Sequence, residues 1–383
     1  MRDARSTMID DIERLVRVES PSADLDAVAR AADAVTALGT ARIGAEPERI
    51  VLRGHTHLRW RLGRGPRRVL LLGHHDTVWP LGSLDTRPFE VRDGVLRGPG
   101  CFDMKAGLVM ALHAIAALDD PDGVTLLVTG DEEIGSPSSR GLIESEAAGC
   151  AAALVLEAAA EGGALKTERK GTSLYEVLVR GVAAHAGLEP ERGVNATIEA
   201  AHQILAVAAI ARAEAGTTVT PTLLRAGDTT NTVPASARLA VDVRVRDAAE
   251  QARVDRAMRG LSPVLDGASL VVGGGVNRPP LPAFASAELF GRAAALADRL
   301  GVGPLTSAAV GGASDGNFTA GAGTPTLDGL GAVGGGAHAD HEHVLIAELP
   351  RRTALLSALV RDLLGTHPPS RPDEEAADGG PAG

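Results

Sequence analysis

The sequence is poor in aromatic residues, cysteine and positive charge. Aromatic residues make up only 2% of the 383 residues, so the hydrophobic core has to be built mainly from alanine, valine and leucine. The two cysteines, Cys101 and Cys150, are too few for a disulfide framework. The net charge of −11 argues against a nucleic-acid partner, because binding phosphate requires a basic face.

The sequence also lacks long apolar runs. Stretches such as "LLVT" and "ALHAIAAL" are much shorter than the roughly 20 residues that a transmembrane helix needs. The opening stretch "MRDARSTMIDDIERLVRVES" is charged and amphipathic and has no apolar centre of the kind found in signal peptides. We therefore expect a cytoplasmic protein without a membrane partner.

The order of apolar segments predicts an α/β protein, and the length of 383 residues favours two domains. Strands are predicted at 49–54, 57–63, 68–75, 123–130 and 152–157, with amphipathic helices before and between them. The segment "RVLLLGHH" is apolar on both faces, which is typical of a strand that is covered on both sides. The predicted centre of the protein is therefore a mostly parallel, helix-covered sheet.

A second pattern interrupts this alternation between residues 168 and 275. Its order β-α-β-β-α-β, which begins with the alternating segment "GTSLYEVLVRG", is typical of a small α+β unit with an antiparallel sheet. Residues 1–167 and 276–365 would then form a discontinuous catalytic domain, and residues 168–275 an inserted lid domain. The Pro- and Gly-rich tail, 366–383, is predicted to be disordered.

Side chains of the metal-ligand type follow several of the predicted strands. Three strands end in "LLLGHHD", "LLVTGDEE" and "ALVLE", Asp103 lies just before a helix, and "GGGAHADHEHV" supplies histidines. Functional groups of open α/β sheets collect beyond the carboxyl ends of the strands. A cluster of histidines and carboxylates suits zinc, which accepts both nitrogen and oxygen ligands. The sequence therefore predicts a zinc site at this edge of the sheet.

The stretch "GHHDTVWP" contains two adjacent histidines, His74 and His75. Side chains alternate along an extended strand, so His74 and Asp76 share one face while His75 points to the other. Asp76 is then placed to accept a hydrogen bond from the ring nitrogen of His74 that does not bind metal, which fixes the tautomer. His74 is therefore the predicted ligand, and Asp76 is the residue that orients it.

The segment "DEEIGS" contains the adjacent glutamates Glu132 and Glu133, and a single metal ion rarely binds both of two such neighbours. One glutamate is expected to be a ligand and the other a free base beside a metal-bound water. Base-assisted attack by such a water is the usual route to hydrolysis at metal sites. The spacing alone leaves open which glutamate has which role.

Six motifs in their order along the chain resemble the co-catalytic zinc peptidase family. They are "GHHDTV", "GPGCFDMKAG", "DEEIGS", the strand "ALVLE", "HAGLEPERGVNA" and "GGGAH". Members of that family include aminoacylase, succinyl-diaminopimelate desuccinylase, acetylornithine deacetylase and bacterial glutamate carboxypeptidase. The resemblance extends from about residue 8 to residue 364 and so covers nearly the whole chain.

The resemblance implies two Zn²⁺ ions per chain, which Co²⁺ or Mn²⁺ could replace; an enzyme with a single tightly bound ion is the alternative. A hydroxide bridging the two ions would attack an amide carbonyl, with Glu132 as the general base. Asp76 keeps the orienting role inferred above. The implied ligands are His74 and Glu157 on one ion, Glu133 and His338 on the other, and Asp103 on both.

The resemblance also implies roles for residues in and near the lid domain. His185 matches a histidine that typically reaches the active site of a partner subunit and steadies the oxyanion, so a homodimer through the lid is expected. Asn231 in "TNTVP" matches a residue that contacts substrate. Arg278 and Arg244 are candidates for holding a substrate carboxylate, with Arg278 preferred, since a guanidinium suits that group. Ser314 aligns with a segment that lines the substrate cleft.

The predicted function is zinc-dependent cleavage of an amide bond next to a free carboxylate, in a small peptide or an N-acyl amino acid. "GHHDTVWP" together with "GPGCFDMKAG" is most similar to the glutamate carboxypeptidase branch. A deacetylase or desuccinylase that acts on N-acyl amino acids is the alternative enzyme. A non-catalytic binding homologue would have lost a ligand or the base, whereas all five ligands, Glu132 and His185 are present.

Other residues of the metal-ligand type have simpler interpretations. His55 and His57 lie at alternate positions without acidic neighbours, which favours a solvated strand face. His113 lies in an apolar helix and is interpreted as a core histidine. Cys101 is expected to be a packed residue, and Glu342 is expected to support the glycine-rich loop that precedes it.

Overall fold

The computed structural model describes residues 4–365, so the predicted disordered tail lies outside the described residues. Among these residues, none of the helices combines the length and the apolar character required to span a bilayer. The helices are α1 (Ala4–Val16), α2 (Leu25–Ile43), α3 (Ser83–Thr86), α4 (Ala106–Ala116), α5 (Arg140–Ala147), α6 (Ala196–Ala208), α7 (Ala248–Arg259), α8 (Ala283–Leu300), α9 (Gly316–Gly321) and α10 (Glu348–Gly365).

The strands belong to several separate sheets. They are β1 (Glu48–Leu52), β2 (His55–Arg61), β3 (Val69–His74), β4 (Glu90–Arg92), β5 (Val95–Arg97), β6 (Val124–Thr129), β7 (Ala152–Val155), β8 (Leu165–Arg169), β9 (Gly171–Arg180), β10 (Ala184–His185), β11 (Thr218–Ala226), β12 (Thr232–Val233), β13 (Ser236–Val245), β14 (Ser269–Arg278), β15 (Ser307–Val310), β16 (Thr326–Leu327), β17 (Gly334–Gly335) and β18 (His343–Leu345).

A six-stranded sheet in the order β1-β2-β6-β3-β7-β16 forms the centre of the larger part of the molecule. β3 is parallel to β6 and to β7, and β7 is parallel to β16, whereas β1 and β2 add an antiparallel edge. Every residue of β3, β6 and β7 is buried. The prediction of a mostly parallel sheet covered on both faces is therefore confirmed.

Alternate residues of β3 enter two different hydrophobic clusters. Val69 and Leu71 pack in the large cluster that includes residues of α1, α2, α4 and α10. Leu70 and Leu72 pack with residues of α5 and α9 on the opposite face. Successive side chains of a strand point to opposite faces, so a continuous apolar run is buried on both. This packing holds the carboxyl ends of β3 and its neighbours in place.

An antiparallel sheet in the order β11-β13-β9-β14 occupies most of the predicted lid segment. Residues of α6 and α7 pack against one of its faces and form a hydrophobic cluster separate from those of the six-stranded sheet. The predicted order β-α-β-β-α-β corresponds to β9, α6, β11, β13, α7 and β14. The α+β architecture with an antiparallel sheet is confirmed, while the domain boundaries stay a prediction.

A small sheet in the order β17-β18-β5-β4 was not anticipated from the glycine-rich sequence near residue 334. β18 pairs antiparallel with β5, with Val344 opposite Leu96. The loop before β18 contains His338, and the loop after β5 contains Asp103. This long-range pairing therefore places the two loops beside each other, although they lie far apart in the sequence.

Candidate metal centre

The carboxyl ends of three neighbouring strands carry acidic and histidine side chains at one edge of the six-stranded sheet. β3 ends with His74, β6 is followed by Glu132 and Glu133, and β7 is followed by Glu157. The parallel pairing of β3 with both β6 and β7 places these strand ends side by side. This is the edge at which open α/β sheets carry their functional groups.

His74, Asp103 and Glu157 form a first group of potential metal ligands. The Nε2 atom of His74 lies 3.4 Å from Asp103 Oδ1 and 3.6 Å from Glu157 Oε1. The Nδ1 atom of His74 donates a hydrogen bond to the backbone carbonyl of Asp76 at 2.9 Å, so Nε2 faces the two carboxylates. One imidazole nitrogen and two carboxylate oxygens are a donor set that zinc accepts.

Asp103, Glu133 and His338 form a second group. The Nε2 atom of His338 lies 3.2 Å from Asp103 Oδ2 and 3.1 Å from Glu133 Oε2. His338 adopts a φ of 61°, in the left-handed region that side chains other than glycine rarely occupy, and its side chain is 50% exposed. Asp103 thus takes part in both groups through different oxygens, which is how one carboxylate bridges two ions.

Two polar atoms of these groups are buried without a hydrogen-bond partner in the described chain. They are Nε2 of His74 and Oε1 of Glu133. Buried polar atoms in native proteins are nearly always bonded, and an unpaired one calls for an explanation such as an ion. A divalent cation in each group would give both atoms a partner. The residues present therefore fit a metal centre.

The raised pKa values of His74 and His338 also show that the two ligand groups favour positive charge. Hydrogen bonds with Asp103 and Glu133 raise the pKa of His338 to about 10. Burial disfavours a charged His74, but the neighbouring carboxylates, first among them Asp103, outweigh it and raise its pKa well above the usual range. A site that stabilises imidazolium also attracts a metal cation, which replaces the proton when it binds.

Asp76 connects His74 with the segment that follows β6. Its Oδ1 lies 3.4 Å from His74 Nδ1, and its two oxygens accept the backbone N–H groups of Glu132 and Glu133 at 3.2 Å each. Ser22 Oγ donates a further hydrogen bond at 2.6 Å. Burial opposes ionisation, but His74 and Ser22 hold the pKa of Asp76 at about 2. The shorter contact of His74 Nδ1 is to the carbonyl of Asp76 rather than to its carboxylate.

Glu132 is buried, directly precedes the candidate ligand Glu133 in the chain, and is bonded to Arg278. The Nη2 atom of Arg278 donates to Glu132 Oε1 at 2.9 Å and to Asp315 Oδ1 at 3.0 Å. Burial raises the pKa of Glu132 well above its usual range, and the positive charge of Arg278 offsets this in part. Ser136 Oγ donates to Asp315 and accepts from Arg278, at 2.8 Å. Asp315 and Arg278 together hold the turn that carries Glu132.

Arg169, which was not among the predicted site residues, lies behind Glu157. Its Nε donates to Asp328 Oδ2 at 2.6 Å, and its Nη2 lies 3.7 Å from Glu157 Oε2. Ser314 Oγ donates to the same Asp328 oxygen at 2.6 Å and is fully buried. Ser314, in the segment "GGASDGNF", therefore shares the Asp328 carboxylate with Arg169, behind Glu157. The only sequence signal for Arg169 is its position at the end of β8.

The predicted site residues of the lid segment lie on its surface. His185 and Thr232 pair in a short ribbon of β10 and β12, and the carbonyl of Asn231 accepts from Ala186 N at 2.9 Å. The His185 ring accepts a hydrogen bond from Gly187 N at 3.1 Å, within its own loop. These hydrogen bonds stay inside the lid segment.

Arg244 lies on β13, where its ladder partner is Thr172 of β9. Its guanidinium forms a two-pronged ion pair with Asp242, with both N–O distances at 2.8 Å. Arg278, by contrast, contacts the turn of Glu132. The structure therefore brings Arg278, but not the guanidinium of Arg244, into direct contact with the centre.

Three of the other histidines have structural partners. His75 Nε2 bonds with the carbonyl of Thr56 at 3.0 Å, and burial lowers its pKa to about 4. His113 Nε2 bonds with Asp11 at 2.8 Å. The prediction of a solvated face is wrong for His57, which is fully buried and bonded to Ser138 Oγ at 3.1 Å. Packing of α5 and its preceding turn over β2 accounts for the difference.

Known protein sequences that are similar to this chain include a carboxypeptidase and a desuccinylase. Carboxypeptidase G2 of Pseudomonas sp. (strain RS-16) is 33% identical over 298 residues, which are 74% of this chain and 70% of that protein. Succinyl-diaminopimelate desuccinylase of Gluconacetobacter diazotrophicus is 28% identical over 314 residues, which are 74% of this chain and 78% of that protein.

Solved structures share the fold. The metallo-carboxypeptidase Sso-CP2 of Sulfolobus solfataricus superimposes with a TM-score of 0.73 at 17% identity and covers 94% of this chain and 99% of that chain. The aminopeptidase PepT of Bacillus cereus gives a TM-score of 0.72 at 22% identity, with coverage of 94% and 99%.

The family model for "Peptidase family M20/M25/M40" matches residues 70–362. This range includes every candidate ligand, from His74 to His338, and most of the six-stranded sheet that positions them. The resemblance inferred from the ordered motifs is thus confirmed. The chain belongs to peptidase family M20/M25/M40 and is a metallopeptidase or amidohydrolase of that family.

Proposed function

We propose that the protein is a two-zinc amide hydrolase whose substrates carry a free carboxylate next to the scissile bond, as in a glutamate-type carboxypeptidase. The observation that carries the proposal is the sharing of Asp103 between the two ligand groups, with Glu132 directly before the ligand Glu133. The 33% identity to carboxypeptidase G2 over 74% of this chain supports the carboxypeptidase type.

Each of the two ligand groups would hold one ion, and Asp103 would belong to both groups. Bound there, two divalent cations supply Lewis acidity for the scissile carbonyl and lower the pKa of a water nucleophile. His74 and Glu157 would hold one ion, and Glu133 and His338 the other. Asp76 orients His74 through its carbonyl and fixes Glu132 and Glu133 through its carboxylate.

Glu132 would act as the general base. Burial raises its pKa, so its carboxyl group retains a proton more readily than an exposed glutamate does. A base of this kind takes a proton from the attacking water and returns it to the leaving amine. Arg278 donates to Glu132 Oε1, which directs the carboxylate and leaves its second oxygen for the proton transfer.

The substrate carboxylate would be held by Arg278 or Arg244. The contact of Arg278 with Glu132 supports Arg278, because its guanidinium lies next to the reacting groups. A substrate carboxylate there would share the guanidinium with Asp315. Ser314 would support the substrate cleft through its hydrogen bond to Asp328. Arg278→Lys separates the roles: lost substrate binding raises KM, and a displaced Glu132 lowers kcat.

His185 and Asn231 would complete the site from a second subunit. Both lie on the exposed surface of the lid segment, where a partner could reach them. β11 is an edge strand of the lid sheet and exposes Leu223 and Leu224, which supports pairing with another copy. Light scattering tests the homodimer: a stable monomer with full activity would remove the role of His185 across an interface.

The substrate class is tested with purified enzyme loaded with Zn²⁺ or Co²⁺. N-acyl-glutamates, including peptides that end in glutamate, should be cleaved with a higher kcat/KM than the same acyl groups on other amino acids. Release of free glutamate is measured directly. If neither this series nor a panel of N-acetyl and N-succinyl amino acids is cleaved by the metal-loaded enzyme, the proposal is wrong.

An N-acyl-amino-acid deacylase is the second candidate. The 28% identity to a succinyl-diaminopimelate desuccinylase over 74% of this chain supports it. The two candidates share the metal chemistry and differ in which side of the amide sets the specificity: the released glutamate for the carboxypeptidase, and the acyl group for the deacylase. An N-succinyl amino acid cleaved faster than an N-acyl-glutamate would favour the deacylase.

A further inference from the structure

Glu342 is almost fully buried, with 3% of its surface exposed, and lies four residues after His338. Burying a carboxylate is costly unless hydrogen-bond donors replace water. The Glu342 carboxylate accepts from four N–H groups: Trp79 Nε1 at 2.7 Å, Phe102 N at 2.8 Å, Gly100 N at 2.9 Å and Asp103 N at 3.0 Å.

These donors come from the segments that carry the metal ligands. Trp79 follows His74 in the segment after β3 and lies 263 residues from Glu342 in the sequence. Phe102 and Asp103 belong to the loop of the shared ligand, at separations of 240 and 239 residues. One carboxylate therefore joins three ligand segments that are distant in sequence.

A second buried carboxylate near the centre, that of Asp131, does not join segments that are distant in sequence. Asp131 also accepts four hydrogen bonds, but they come from Ser138 and Ser139, seven and eight residues further on. Those bonds shape one turn and leave the distances between ligand segments unchanged. Among residues 4–365, it is the bonds of Glu342 that tie the backbone of Asp103 to the loop of His338.

We propose that Glu342 is the positioning residue of the metal centre: it sets the placement of Asp103 relative to His338 and to the His74 segment. Without it, the Asp103 loop loses the acceptor of its N–H groups, and the shared ligand is no longer directed at both groups. The inference rests on the proposed metal-dependent function, since the centre has to bind metal for the placement to matter. Ligands that the chain already holds in place bind an ion more tightly, because less ordering is needed when the ion enters.

The test compares Glu342→Gln with the matched control Glu146→Gln. Glutamine keeps the size of the side chain, but its NH₂ group opposes the N–H donors. Glu146 is also almost fully buried, and it bonds with arginines, including Arg59 and Arg61, away from the ligand loops. Zn²⁺ and Co²⁺ affinities are measured on each full-length protein by competition with a chromophoric chelator, together with the number of ions bound per chain and the Co²⁺ absorption spectrum.

Glu342→Gln is expected to weaken metal binding about 10- to 100-fold and to change the Co²⁺ spectrum, as is typical when a partner behind a metal ligand is removed. Glu146→Gln is expected to leave affinity and spectrum unchanged, even if its melting temperature falls. Wild-type affinity and spectrum in Glu342→Gln would overturn the positioning role. If the wild type itself binds no divalent metal, the proposed function fails instead, so the two failures are distinguishable.

Trp79→Phe provides a milder version that retains the aromatic packing and removes one donor. This variant tests the positioning role of Glu342 if Glu342→Gln does not fold. We expect a smaller loss of metal affinity in the same direction, roughly a few-fold, with the same kind of change in the Co²⁺ spectrum. Unchanged affinity in a well-folded Trp79→Phe would contradict the proposal.

Discussion

The polar side chains at the candidate metal centre are bonded differently from those on the surface of the lid segment. At the edge, Asp76, Asp131, Asp315 and Glu342 are buried, and each is held by several donors. These carboxylates bond to the turns and loops that carry the ligands. The geometry of the centre is thus arranged in advance by the chain itself.

In the lid segment, the side chains of two predicted site residues bond to nearby positions of the chain. His185 bonds within its loop, and Arg244 pairs with Asp242 two residues away. Such residues keep their side chains accessible at little cost in folding. We expect that the edge binds metal without help, whereas the lid contributes only after it moves or meets a second subunit. The following predictions test this difference.

Asp103→Asn should have the largest effect, because both groups lose their shared anionic ligand. We expect loss of both ions and hydrolysis below detection, with ions per chain measured by elemental mass spectrometry. Asp122→Asn is the control, since Asp122 is an exposed loop residue that bonds with Gly65 N. Two tightly bound ions in Asp103→Asn would mean that the sharing of Asp103 is not how the centre works.

Glu132→Gln should leave the ions in place and reduce kcat by about 10²- to 10⁴-fold, the usual contribution of a general base. Glutamine still accepts from Arg278 but cannot take a proton. Steady-state kinetics on metal-analysed protein provide the measurement. Turnover equal to that of the wild type would assign the base to another residue.

His185→Ala should reduce kcat by about 10²-fold if the histidine steadies the oxyanion, with metal content unchanged. His202→Ala is the matched control, because His202 is another exposed histidine of the lid segment. Mixing His185→Ala with a Glu132→Gln subunit sharpens the test: recovery of activity in mixed dimers would indicate a site completed by the partner. An equal kcat for the two alanine variants would contradict the role of His185.

The effect of metal removal on the folded structure, as distinct from its effect on hydrolysis, should be small and local. A bound ion stabilises the folded state by RT ln(1 + [L]/Kd), about 2.7 kcal/mol at 100 times Kd. Chelation is expected to increase amide hydrogen exchange in 98–105, 131–139 and 334–345, with little change in β9 and β13. Exchange measured by mass spectrometry tests this. An equal increase in the lid strands would show that the two regions respond as one unit.

Much of the fold and the outline of the centre could be predicted from local pattern. The apolar run of β3 predicted a strand covered on both faces, and strand alternation separated His74 from His75. The ligand segments were recognisable because they follow strands whose carboxyl ends meet. The burial of His57 could not be predicted, because it depends on the turn around Ser138 packing over β2.

The remaining part of the centre depends on contacts between distant segments. The pairing of β18 with β5 places the His338 loop beside the Asp103 loop, and nothing in the glycine-rich sequence around residue 334 has the alternation of a strand. Arg278 is chemically able to bind a substrate carboxylate, yet in the fold its guanidinium is bonded to Glu132 and Asp315.

From the sequence alone, residue periodicity therefore predicted the layered α/β architecture, because periodicity is a local property. The family and the set of candidate ligands followed from the resemblance of the ordered motifs. The tertiary structure decided which buried charges are partners: Glu342 with the Asp103 loop, and Arg278 with Glu132. A buried charge is stable only when donors or counter-charges surround it, and here those groups come from segments more than 100 residues away. No local pattern contains that information.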